Sequence, residues 1–268
     1  STAAQAEATQ WSDAWTTFAA HEKDWAYRQD QLSSTHPIVA DIKDLEDVLV
    51  NFDGITYAKG ASVLKQLVAY VGREHFREGV RAYFRAHAWG NTTLEDLLTE
   101  LEAASGRDLR EWSKVWLETA SVNILRPVIE VDEAGIMTRV TIEQSHLDGF
   151  PTLRPHRLAI GLYAVRDGVF VRTDRVELDV AGAATEVTRL IGQARPDLLL
   201  VNDDDLTYAK IRLDQADVAA VLAHPRGFTD AMPRTLTLAS LWDMTRDGEL
   251  AARDFVGAIR SKIAAGHA

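Results

Sequence analysis

Hydrophobic positions in the first 120 or so residues recur at helical spacing, and from about residue 123 the period shortens to two. Residues from about 3 to 30 carry Trp11, Trp15, Phe18, Trp25 and Tyr27 among small and charged residues, which predicts helix. The run Ser33-Ser34-Thr35-His36-Pro37-Ile38 interrupts this pattern, because Pro37 pushes His36 towards extended backbone. Four further helices are expected. The first, Thr56 to Val71, has Val63, Leu64, Leu67, Val68 and Val71 on one stripe and Gly72 as its stop. The second, Arg73 to Ala88, carries Phe76, Val80, Tyr83 and Phe84. Thr92 with Glu95 predicts a capping box for the third, which holds Leu94, Leu97, Leu98 and Leu101 and closes at Gly106. Asp108 with Glu111 opens the fourth, bearing Leu109, Trp112, Val115, Trp116 and Leu117.

Beyond residue 123 alternation predicts strands at Val128–Val131, Ile136–Ile142, Arg157–Val165, Val169–Leu178, Thr185–Ile191, Leu198–Val201 and Tyr208–Leu213. Turn signals such as Glu133-Ala134-Gly135 and Arg166-Asp167-Gly168 separate them, and short strands at this spacing predict a β-sandwich. Helical pattern returns from Ala216, is broken by Pro225 and Pro233, and is still present in Ala251 to Ala268. The fold expected is therefore α+β and multidomain, with helical residues 1–120, a β-sandwich over 121–213 and a further helical region over 214–268.

Composition excludes more than it assigns. Forty acidic against 29 basic residues give a net charge of −11, which argues against nucleic acid or an anionic membrane as partner. No apolar run approaches the roughly 18 to 20 residues of a membrane span. With no cysteine there is no disulfide, thiolate metal site or cysteine nucleophile, which fits a cytoplasmic protein. Neither a G-x-S-x-G elbow nor a phosphate-cradling glycine loop is present.

The candidate chemistry lies at Asn51-Phe52-Asp53-Gly54-Ile55-Thr56-Tyr57-Ala58-Lys59-Gly60-Ala61-Ser62-Val63-Leu64, a glycine turn opening a helix. Tyr57 near that helix start is placed to donate a hydrogen bond to developing negative charge. A core tyrosine bonded to a neighbouring backbone group fits the same spacing. Gly60, Ala61 and Ser62 are small enough to let another backbone approach. Asp53 and Asn51 are expected to cap the helix, and Lys59 to be a solvated or ion-paired residue. The acidic run Asn202-Asp203-Asp204-Asp205 lacks the ligand spacing of a calcium loop and is expected as a solvated turn. His146 and His156 are expected as surface or satisfied histidines, and the paired tryptophans as core.

The wording F-D-x-I-T-Y-x-K-G-A-x-V-L closely resembles the tyrosine helix of the aminopeptidase N family of zinc metallopeptidases. The segments Ser34-Thr35-His36-Pro37-Ile38 and Trp112-x-x-x-Trp116-Leu117-x-Thr119 are similar to the same family. The resemblance implies that Tyr57 faces a zinc ion and stabilises the tetrahedral intermediate of peptide hydrolysis. It also implies a peptide substrate and a thermolysin-like catalytic domain, of which residues 1–120 are the late helical part. The family's H-E-x-x-H motif is missing. None of the eight histidines lie four residues apart, and the nearest approach, His21-Glu22-Lys23-Asp24, has Trp25 where the second ligand belongs. The expectation is an interior piece of a zinc aminopeptidase. Its zinc ligands, general-base glutamate and amine-binding acidic residues would belong to the rest of the parent chain, and this chain alone would be inactive. The alternative is a non-catalytic β-sandwich and helical binding module related to the peptidases.

Overall fold

The computed structural model describes residues 2–224 and 226–264. Helix α1 spans Thr2–Ala8. A break at residues 9–13 separates it from α2 (Ala14–Thr17), which continues through a π turn, Phe18–Glu22, into α3 (Lys23–Asp30). Trp11 stands in the break and is exposed, so it is not the core residue that its spacing predicts. A short helix the periodicity does not predict, α4 (Leu45–Val50), precedes a second π turn, Ile55–Lys59, which runs into α5 (Gly60–Val71). Gly72 ends α5 with φ of +87°, a conformation that glycine adopts without strain.

Helices α6 (Arg73–Ala86), α7 (Leu94–Ser105) and α8 (Arg110–Leu117) complete the first block. The capping box of α7 lies one residue later than its pattern predicts. Thr93 is the cap, and its backbone N–H and hydroxyl both donate to the Asp96 carboxylate, at 2.7 and 3.0 Å. Thr92 instead shares a hydrogen bond with the Tyr83 hydroxyl at 2.5 Å.

Seven strands follow: β1 (Ile124–Val131), β2 (Met137–Ser145), β3 (His156–Arg166), β4 (Val169–Val180), β5 (Ala184–Glu186), β6 (Leu198–Asp203) and β7 (Lys210–Ile211). They form two sheets, ordered β5-β2-β1-β7 and β4-β3-β6, with β7 parallel to β1 and the other pairs antiparallel. The fifth expected strand is cut short by a 3₁₀ turn, Thr188–Leu190, that sends Leu190 into the core. The last shrinks to two residues, because Tyr208 leaves the sheet for the helical core. Helices α9 (Gln215–Ala223), α10 (Ala231–Arg246) and α11 (Ala252–Ala264) end the description. Pro233 sits in the first turn of α10, where its missing N–H breaks no helical bond. Pro225 and residues 265–268, both within the expected C-terminal pattern, lie outside the described residues.

Three buried clusters explain the patterns. One lies between the sheets, with Leu125, Val140 and Ile142 meeting Leu158, Ile160, Leu199 and Val201. A second holds the helical block, from Ala26 and Ala58 through Leu67 and Leu101 to Trp112 and Trp116. The third sets Tyr163, Leu198 and Leu200 against Val221, Leu241 and Met244 of the C-terminal helices. Both faces of β6 are thus covered, which accounts for its unbroken apolar run. No helix of the described residues is long and apolar enough to cross a membrane.

The helical block joins the sheets through Arg154 and His156. Buried Arg154 donates to Asn123 Oδ1 (2.9 Å), Thr119 Oγ1 (2.7 Å) and the Ala120 carbonyl (2.7 Å), satisfying acceptors just beyond the C-terminus of α8. The Trp116 indole donates to the Pro155 carbonyl at 2.9 Å and meets the His156 ring edge-on. His156 is fully buried, within hydrogen-bond reach of Thr207 Oγ1 (2.7 Å) and Gln144 Oε1 (3.1 Å), while His146 is exposed. Both match the expectation of surface or satisfied histidines.

Burial, and then the Arg154 charge, lower the His156 pKa from 6.5 to about 3. The unfolded chain therefore binds the extra proton between these values, and stability falls as pH drops from about 6.5 towards 3. Asp217 and Asp243, raised by burial to about 7 and about 6, slope the other way. A His156→Gln variant should therefore lose about 1.4 kcal/mol less stability than the parent per pH unit across that window. Urea titrations at several pH values would measure the difference, and parallel pH profiles would contradict it.

Candidate functional site

Tyr57 stands on a turn fixed from three sides. At its N-terminal end the Gly54 N–H donates to Gln29 Oε1 of α3 at 2.7 Å. A Cβ on Gly54 would come within 2.7 Å of that oxygen and 3.0 Å of the Ala26 nitrogen, so the close approach requires glycine. Asp53 caps the turn by accepting from the Thr56 N–H at 2.9 Å, and its other carboxylate oxygen lies 2.9 Å from His36 Nε2. The Ser34–Ile38 segment is thereby tied to the tyrosine turn. The Val39 N–H extends the tie to the Leu117 carbonyl at the end of α8. Asn51 does not cap the tyrosine turn as expected: it is the C-cap of α4, its backbone and side-chain N–H groups both donating back to the Asp47 carbonyl.

Residues Ile55–Lys59 then make one π turn, in which hydrogen bonds span five residues rather than four. Ile55, Ala58 and Lys59 point inward and are buried; Tyr57 points outward and is 50% exposed. Its ring meets Phe52 at 4.7 Å between centroids, and no hydrogen bond among the described residues engages its hydroxyl. That geometry differs from a core tyrosine bonded to backbone. The small residues after the turn have another use than close backbone approach. A Cβ at Gly60 would meet only Ile38 at ordinary contact distance, and the Ser62 hydroxyl bonds back to the Ala58 carbonyl.

Lys59 is ion-paired and wholly buried, so the solvated half of its expectation fails. Its ammonium pairs with Asp30 at 2.8 Å and donates to the Ser121 carbonyl at 3.0 Å, with the Tyr208 ring 5.6 Å away. The other Asp30 oxygen accepts from the Ser121 N–H (3.0 Å) and the Thr35 hydroxyl (2.6 Å). Burial lowers the Lys59 pKa to about 8 against the opposing pull of Asp30. Ser121 is held at φ of +76°, a backbone region unfavourable for a serine, by this pair of contacts. One carboxylate thus joins α3, the 33–38 loop, the tyrosine turn and the chain leading into β1.

The acidic run is not the solvated turn its composition predicts. Asn202, Asp203 and Asp205 are buried. Asp203 accepts from the Tyr163 hydroxyl and Arg172, both at 2.9 Å; Asp204 pairs with Arg172 and Arg175; Asp205 pairs with Lys23 at 2.5 Å. Asn202, Asp204 and Asp205 all have positive φ, which Asn and Asp adopt more readily than other side-chain-bearing residues. Ion pairs hold the two aspartates, and the Asn202 side chain is held by the Thr207 backbone, accepting from its N–H at 2.9 Å. The cations come from distant parts of the chain, which is why local sequence does not reveal them.

Among the described residues no three His, Asp or Glu side chains come together in a group able to hold a metal ion. His21 and Glu22 lie exposed on the first π turn. The side chains of the described residues do not fit a zinc site.

Comparison with known proteins places this segment. A model of the peptidase family M1 domain matches residues 2–116, and one of the ERAP1-like C-terminal domain matches residues 198–266. Aminopeptidase N of Streptomyces lividans is 60% identical over 97% of this chain, which spans 31% of that protein. Tricorn protease-interacting factor F2 of Thermoplasma volcanium is 39% identical over 52% of the chain and 17% of its own length. A probable aminopeptidase 2 of Sulfurisphaera tokodaii is 35% identical over 51% of the chain, again 17% of its own length. With the M1 model lying over the tyrosine turn and the Streptomyces identity running through almost every element described, the chain belongs to the aminopeptidase N family.

Proposed function

We propose that this chain is the segment of a zinc-dependent aminopeptidase that supplies the oxyanion-stabilising tyrosine, Tyr57. The observation that carries the reading is the contrast across one turn: a half-exposed phenol on the outer face and a fully buried ion pair locking the inner face. A donor stabilises developing charge only if it is already aimed where that charge will appear. Asp53, Gln29 and the Lys59–Asp30 pair fix the backbone that aims Tyr57, so little reorganisation is needed at the moment of reaction. In this role the Tyr57 hydroxyl donates to the substrate carbonyl oxygen as it becomes negatively charged, while the phenol keeps its proton.

Residues 1–120 are assigned to the late helical part of the catalytic domain, 121–213 to a β-sandwich domain and 214–268 to the start of a C-terminal helical domain. The zinc ligands, the general base and the groups that hold the substrate's free amine are assigned to the rest of the parent chain. Peptides are the proposed substrates, removed one N-terminal residue at a time. The absence of cysteine supports a cytoplasmic setting, and the −11 charge supports neither nucleic acid nor membrane as partner.

Two outcomes are expected. This chain alone should neither hydrolyse alanyl-amide substrates nor bind stoichiometric zinc, with or without the metal added; zinc-dependent turnover would sink the reading. In the parent enzyme Tyr57→Phe should lower kcat on the order of 100-fold or more with KM little changed. The same change should leave the unfolding free energy of this chain within about 0.5 kcal/mol, as the hydroxyl is unbonded and the ring half exposed. Undiminished turnover in Tyr57→Phe would remove the tyrosine from the mechanism.

A further inference from the structure

The loop at residues 34–38 carries a histidine whose two ring nitrogens both face acceptors. His36 Nε2 lies 2.9 Å from an Asp53 carboxylate oxygen, and Nδ1 lies 2.7 Å from the Pro37 carbonyl oxygen. Neither oxygen has a hydrogen to give, so each contact is a hydrogen bond only where the nitrogen carries a proton. A neutral imidazole has one N–H and one bare nitrogen, so in either tautomer a lone pair would be aimed at an oxygen. Both bonds exist together only in the imidazolium form.

The loop leaves the ring little room to turn away. On one side the Thr35 hydroxyl donates to Asp30 at 2.6 Å; on the other the Val39 N–H donates to the Leu117 carbonyl at 2.9 Å. The His36 side chain is 23% exposed and that of Asp53 14%, so solvent protons reach a pair whose charges are partly shielded from water. From Asp53 the constraint passes to the tyrosine through two short links. Its second carboxylate oxygen accepts from the Thr56 N–H at 2.9 Å, and its backbone carbonyl accepts from the Tyr57 N–H at 3.1 Å.

We infer that His36 is a positioning residue for Tyr57, holding the tyrosine turn in its aimed geometry while both ring nitrogens carry protons. Loss of either proton replaces one of the two bonds by a repulsion between lone pairs, and the carboxylate that caps the turn loses its anchor. Asp53 is the one charged side chain bonded to the ring among the described residues. From α3, Asp30 reaches the same loop but is paired with Lys59, and α8 meets the loop through a backbone carbonyl. The catalytic consequence rests on the proposed role of Tyr57.

Nuclear magnetic resonance of this chain with labelled histidine and tyrosine rings tests the link, with His36→Gln and Tyr57→Phe assigning the two signals. As pH rises, the Tyr57 signal should shift at the midpoint where His36 loses a ring proton. His36→Gln, whose amide donates to Asp53 without titrating, should abolish that shift; a change that remains belongs to Lys59, lowered to about 8. A Tyr57 signal indifferent to the His36 proton would overturn the inference. In the parent enzyme His36→Ala should lower kcat roughly tenfold or more with KM little changed, and His36→Gln should restore most of the loss. In the Tyr57→Phe background His36→Ala should cost nothing further. A full cost there would mark a general structural role and also overturn the inference. If His36→Ala does not fold, the pH comparison with His36→Gln decides alone. Undiminished turnover in Tyr57→Phe, with the Tyr57 signal still following His36, would remove the tyrosine's catalytic role and leave the positioning contact standing.

Discussion

The buried pair of Asp30 and Lys59 is the constraint around which the tyrosine turn is arranged. Taking a carboxylate and an ammonium out of water costs several kcal/mol for each ion. The cost is offset only if each partner's remaining hydrogen-bonding capacity is met. Here the Ser121 carbonyl and N–H, the Thr35 hydroxyl and the Tyr208 ring surround the two charges. Because the pair is satisfied in one geometry alone, it fixes the rotation of the Ile55–Lys59 turn relative to α3. With Lys59 held inward, Tyr57, two residues earlier on the same turn, has to face out.

The same logic of distant charges meeting in buried places runs through the junction between helices and sheets. Arg154 satisfies the acceptors beyond α8, and Asp203, Asp204 and Asp205 collect cations from β4, α3 and α5. Tyr208 belongs by sequence to the strand region and by packing to the helical core. These contacts make the helical block and the two sheets share walls, so the site is braced by residues up to about 180 positions away in sequence, as with Lys23 and Asp205.

Much of this was legible in local pattern. Periodicity marks α5 to α8 to within a few residues and the seven strand regions in order, because each element buries one face or both against a continuous cluster. Tyr57 was legible as a candidate from motif wording, and Asp53 as a cap from its position. The partner of Lys59 was not: Asp30 lies 29 residues earlier on another helix, and no spacing rule links the two. The acidic run misleads for the same reason, since its neutralising cations are set by tertiary structure. Helix α4 escapes notice because its apolar stripe is short and has no core to face. The one-residue shift of the α7 cap shows the usual limit on element boundaries, where adjacent threonines compete and backbone geometry decides.

The measurement that tests this account most directly is a double-mutant cycle on Asp30→Leu and Lys59→Met, read as unfolding free energy in urea. Each single change leaves an unpaired buried charge and should cost about 3–5 kcal/mol. The double variant, with both charges gone, should cost no more than either single change, giving a coupling of about 3 kcal/mol or more. Single changes that add without coupling would show that the pair does not hold the turn, and that Tyr57 is aimed by something else.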